Sequence, residues 1–184
     1  MFRRRSQPED PLSGIDAGAV SERFAPAVQA ALAARARYRD VLAGVAAGSV
    51  HERLAELGAR IDAGVLSVWE TARRASDVER ALDALDPDRV TAEYEAARRA
   101  SGADPAPGSA LAARFASVQR LLRTLDDTDA GLAELDARFG GAVAAAAEVV
   151  AGADDLAGVD AVGSDLDDVV SDLDALRVAL ADPG

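Results

Sequence analysis

A chain of 184 residues that is 49% apolar is long enough to bury a sizeable core and short enough for one domain. Its seven aromatic residues (Trp 1, Tyr 2, Phe 4) leave alanine, leucine and valine to fill that core, a composition that favours helix and opposes sheet. The formal charge of −12 works against binding nucleic acid, and the absence of cysteine and lysine rules out disulfides, thiolate nucleophiles, cysteine-held metals, Schiff bases and the lysine of a phosphate-binding loop.

Residues 1–16 combine three arginines with two prolines and little apolar periodicity, so they read as an N-terminal arm, basic and then acidic, that is mobile. The first helix is expected over 17–46. Phe24, Val28, Leu32, the stem of Arg35, Tyr38, Leu42 and Val45 recur at steps of three and four. Pro26 belongs in a first turn, which leaves 17–23 as a separate turn or kinked start. Gly44 and Gly48 close this helix, and Ser49 with Glu52 forms a capping box for the next, over 50–85. Its stripe runs through Val50, Leu54, Leu57, Ile61, Val65, Val68, Ala72, Ala75, Leu82 and Leu85.

Asp86-Pro87 reads as an N-cap and first-turn proline, opening a short helix over 87–100 with Val90, Tyr94 and Ala97 inward. A loop over 101–108 follows, and Ser109 caps a long helix over 109–151. Leu111, Phe115, Val118, Leu122 and Leu125 keep heptad register, which then slips at Asp126–Asp129 before Thr128, Leu132, Leu135 and Phe139 take over; strong helix formers on both sides favour continuity. Residues 152–163 read as a linker. An acidic helix over 164–181 then packs Leu166, Val169, Val170, Leu173, Leu176 and Leu180 on the bundle over 17–151. The expected fold is all-α: an elongated, antiparallel, coiled-coil-like bundle of about five helices.

Charge is uneven along the chain. Residues 152–184 hold nine aspartates against Arg177, a net of −8, which leaves −4 for residues 1–151. Met1-Phe2-Arg3-Arg4-Arg5 precedes polar residues rather than the apolar core of a signal peptide, and no stretch approaches the ~20 apolar residues of a membrane span, so a cytoplasmic location is expected.

No residue set points to catalysis. His51 is the sole histidine and no glutamate lies three residues before it, which excludes a di-metal carboxylate site. Asp165, Asp167, Asp168, Asp172 and Asp174 do not form a calcium loop, because Val170 and Leu176 stand where glycine and glutamate are required. A glycosidase-type carboxylate pair needs a deep, aromatic-lined cleft that narrow alanine-rich seams do not provide. No enzyme activity, metal or cofactor is expected.

What remains is surface. Arg35, Arg37, Tyr38 and Arg39 make the most basic patch of the body; Trp69 lies one turn before Arg73, with Arg74 beside it. These residues, with Arg3, Arg4 and Arg5, are the candidate interaction surface. The expected role is that of a partner-binding or scaffolding protein, self-association included, with no nucleic-acid partner. The alternative is peripheral attachment to an anionic membrane through Phe2 and Arg3–Arg5, a weak anchor of about 1 kcal/mol per arginine.

Overall fold

The computed structural model describes residue 10, residues 12–152 and residues 156–181. These form a short 3-10 turn (Ala17–Ala19) and five α-helices: α1 (Ala25–Ala43), α2 (Ser49–Ala84), α3 (Pro87–Ser101), α4 (Ala110–Val150) and α5 (Leu156–Ala181). The all-α bundle is as expected, with four corrections to its elements.

Instead of one helix over 17–46, the chain makes the separate turn and then a helix that starts at Ala25, with Pro26 in its first turn where the missing N–H costs nothing. The helix stops at Ala43 with Gly44 as its C-cap. Ser49 is the first residue of α2 rather than its cap: Gly48 holds the cap position, no side chain caps the helix, and the expected capping box is not formed. The last helix begins at Leu156, well inside the expected linker of 152–163. Leu85, expected in the core stripe, is 42% exposed because α2 has already ended.

Other signals translate directly. Asp86 accepts a hydrogen bond from the Arg89 amide and Ser109 from the Ala112 amide, each supplying one of the partners that a helix start lacks. Gly102 closes α3 at φ 70°, a conformation that costs glycine little. The long helix runs unbroken through Asp126–Asp129. Thr128 takes the seam position, fully buried, and donates its hydroxyl to the Thr124 carbonyl at 2.7 Å.

Pairwise contacts fix the arrangement. Ser21 meets Ser76, Arg35 meets Asp62, and Tyr38 donates to the Leu54 carbonyl, so α1 runs antiparallel to α2. Gly131 faces Leu173 and Leu176 while Arg138 pairs with Asp165, so α4 and α5 are antiparallel. By contrast α2 and α5 run parallel. Ser67 meets Asp174 and Glu70 meets Arg177 at a separation of 107 residues, and Arg53–Asp160 and Arg60–Asp167 repeat the same spacing.

Four helices therefore stand at the corners of a bundle in the order α1, α2, α5, α4, with α2 and α4 also touching across the short diagonal. At one end α3 packs chiefly on α4, stacking Tyr94 on Phe115 with centroids 4.0 Å apart. The 41 residues of α4 span about 60 Å, longer than any partner, so two partners in succession are needed to cover it.

The diagonal contact depends on small residues. A Cβ on Gly64 would lie 2.8 Å from Cζ of Phe139, whose ring is fully buried and has nowhere to move. Gly140 and Gly141 have open space at the same position. Gly64→Ala is therefore expected to destabilise by about 1–3 kcal/mol despite its better helix propensity. Gly140→Ala and Gly141→Ala are each expected to stabilise by up to about 1 kcal/mol. Urea unfolding of the three variants checks this; a Gly64→Ala protein at least as stable as the parent would contradict the packing described.

Candidate interaction surfaces

The patch read from Arg35, Arg37, Tyr38 and Arg39 is not an open basic surface. Tyr38 is buried; its ring lies against Gly58, its hydroxyl donates to the Leu54 carbonyl at 2.6 Å, and burial pushes its pKa up to about 12. Arg35 is 8% exposed and donates through Nε to Asp62 and through both Nη atoms to Asp10, at 2.6–2.8 Å. Arg39 bridges the same two carboxylates at 3.1 and 3.2 Å. Only Arg37 stays exposed without an ion pair among the described residues. Two arginines and two aspartates thus cancel, and what spacing presents as a cationic patch is a neutral clasp.

Part of the span 1–16, expected from sequence to be a mobile arm, makes defined contacts in this clasp. Leu12 is buried in the core, the Ser13 amide donates to the Asp10 carbonyl, and the Ser21 amide donates to the Ser76 hydroxyl at 2.9 Å. Residues 12–20 are a strap laid back along α1, pinned at Asp10 and Ser21. Arg3, Arg4 and Arg5 lie outside the described residues, and so does Phe2.

Asp10 carries the strap's charge coupling. Its hydrogen bonds from Arg35 and from the Leu12 amide hold its carboxyl well below the usual carboxylate range, and the same bond to Asp10 raises Arg35. A lowered carboxyl is the reverse of what a general acid needs.

The second candidate, Trp69 with Arg73 and Arg74, is an exposed feature. Leu66, Trp69 and Arg73 follow one another at three and four residues along the outer face of α2, Leu66 is 42% exposed, and Trp69 is half-buried. The Arg73 guanidinium lies 5.7 Å from the Trp69 ring centroid. Alongside runs an open groove of about 630 Å³ lined by Glu70, Arg73, Arg74, Asp77 and Arg177. Arg177 bonds Glu70 and Asp174, whereas Arg74 is exposed with no ion pair among the described residues.

Leu66 was missed in the sequence because it falls off the buried stripe; its position three residues before Trp69 was the available signal. The bundle end has a third feature, an uncharged notch of about 420 Å³ formed by the turn from Gly44 to Val50 with Val149 and Val150. No group of histidine and carboxylate side chains among the described residues is placed to hold a metal ion, and no described helix is long and apolar enough to cross a membrane. The chain matches no family model, no curated protein and no solved structure.

The clasp yields a pH expectation with a defined sign. Because Asp10 is held below its ordinary value of 3.8, its contribution is present in full above that pH and is lost as pH falls below it. Hydrogen exchange should show residues 12–20 losing protection in acid before the α2–α4 core does. Asp10→Asn should expose the same residues at neutral pH. Equal protection of the strap in parent and variant would contradict the clasp.

Proposed function

We propose that this protein is a non-enzymatic, cytoplasmic scaffold that binds a protein partner, or a second copy of itself, through the outer face of α2. The supporting observation is the Leu66–Trp69–Arg73 stripe. An exposed leucine, a half-buried tryptophan and an arginine stacked over it sit on a rigid helix beside a groove whose charges are of both signs. Tryptophan and arginine carry binding energy out of proportion to their number, because they offer large contact area and few freely rotating bonds to order. A helix held on its other sides by α1, α4 and α5 presents them with little further entropy to lose.

The composition fits the same reading. A chain with one histidine and no cysteine or lysine has few of the groups that move protons or electron pairs near neutral pH. The membrane alternative draws no help from the body of the protein, since Arg35 and Arg39 are consumed by Asp10 and Asp62.

Sedimentation velocity over a wide concentration range tests self-association, with Leu66→Glu and Trp69→Ala as variants. Both should weaken association at least about tenfold, the scale of a binding hot spot. Affinity capture from the native cell, run with the same variants, tests a heterologous partner. A strictly monomeric parent would remove self-association; a captured partner held equally by parent and variants would remove this face.

A further inference from the structure

We infer, building on the docking face just proposed, that its partner is an acidic peptide segment whose carboxylates pair with Arg73 and Arg74 while an apolar side chain beside them packs on Leu66 and Trp69. The charge left over at the groove points to this occupant. Of the two acids that line it, Glu70 is bonded by Arg177 and Asp77 by Arg80. Arg73 and Arg74 line the same groove, are exposed, and make no ion pair among the described residues. Elsewhere in the bundle, arginines such as Arg23, Arg35, Arg138 and Arg177 each meet two carboxylates. Acids outnumber arginines 32 to 20 in the chain, yet here the surplus is cationic. Arg73 is also held in place: it stands 5.7 Å from the Trp69 ring centroid, a contact that fixes the guanidinium without neutralising it. A carboxylate fits the fork of donors that such a guanidinium presents.

Apolar exposure collects at the same level of the bundle. The 107-residue offset between α2 and α5 sets Val178 level with Thr71, between Trp69 and Arg73. Val178 is 69% exposed and Leu66 42%, and five residues of helix, about 8 Å, separate their levels. A segment that carries both carboxylates and an apolar side chain meets both features at once, whereas one with either alone meets half of them. A second copy docking through this same face would bring the same two unpaired arginines against the first pair, a juxtaposition of like charge. A broad anionic surface such as a membrane would repel a body with a net charge of −12. A short segment feels chiefly the charges within a Debye length of about 8 Å, where Arg73 and Arg74 dominate.

Trp69 is the sole tryptophan, so its fluorescence reports on this face in the intact protein. Three tryptophan-free helical peptides of equal length serve as probes: one combining glutamate with leucine, one with lysine in place of the glutamate, and one with alanine in place of the leucine. The first should change the Trp69 emission and saturate, and each replacement should weaken binding at least about tenfold. Arg73→Glu together with Arg74→Glu should reverse the preference, favouring the lysine peptide, with an unchanged far-UV circular dichroism spectrum. Equal affinity for the glutamate and lysine peptides, or binding of neither, would overturn the inference. The face itself is judged separately by Leu66→Glu and Trp69→Ala: a captured partner lost with those variants but kept by the double arginine reversal would leave the face standing and overturn its acidic occupant. A Trp69 response to anionic vesicles that the reversal abolishes would make a membrane the occupant, and self-association that the reversal abolishes would make it a second copy; either result overturns the inference.

Discussion

Where Gly64 of α2 meets the ring of Phe139 on α4, the missing Cβ on α2 makes the space that the ring fills, and much of the bundle depends on that fit. The close diagonal lets α1 and α5 sit on opposite sides of the α2–α4 pair, each touching both long helices. Ala31, Ala34, Ala72, Ala75, Ala142 and Ala146, all at 0–1% exposure, extend this logic along the seams. In a chain with seven aromatics, dense packing comes from short distances rather than large side chains. Such a core tolerates added volume poorly, since a single methylene must displace a ring or a backbone.

Charge then selects among the registers that small residues leave open. Alanine-rich seams are nearly featureless, and a helix could slide along one at little cost in packing. Between α2 and α5, Arg53 and Arg60 face Asp160 and Asp167, whereas further along the order reverses and Glu70 faces Arg177. A shift by one heptad would part Arg177 from Glu70 and leave it the Asp174 of its own helix. Exposed pairs of this kind contribute about 0–1 kcal/mol each, so they act on alignment more than on stability. The acidic character of α5 is thereby accounted for in part: several of its aspartates are the complement of an arginine-bearing face. The more enclosed clasp of Asp10, Arg35, Arg39 and Asp62 does similar work for the strap.

Much of this architecture was legible in the sequence because it depends on local rules. Ser109 and Asp86-Pro87 announced helix starts, the loop over 101–108 a helix end, and the stripe through Leu132, Leu135 and Phe139 a buried seam. What was illegible involves residues distant in the chain. Gly163 reads as linker, yet it lies within α5 beside the flexible Arg60 side chain and does not break the helix. Arg35, Tyr38 and Arg39 look like a cationic surface until Asp10 and Asp62 are brought to them from either side. Trp69 and Arg73 were recognisable because a helix places residues four apart together. The partners of Arg23, Asp126 and Asp129, could not be foreseen, since more than a hundred residues separate them.

The central claim is that α5 lies parallel to α2 in one register, because this arrangement closes the bundle and holds the outer face of α2 in place. Electron–electron distance measurements on nitroxide pairs test it most directly, and the absence of native cysteine keeps the labelling unambiguous. The pair Arg53→Cys with Asp160→Cys should give a short distance, and Arg53→Cys with Asp174→Cys a clearly longer one, since position 174 lies roughly 14 residues, about 20 Å, further along the helix axis. The reverse order, with position 174 nearer to position 53 than position 160 is, would show α5 running the other way and contradict the account.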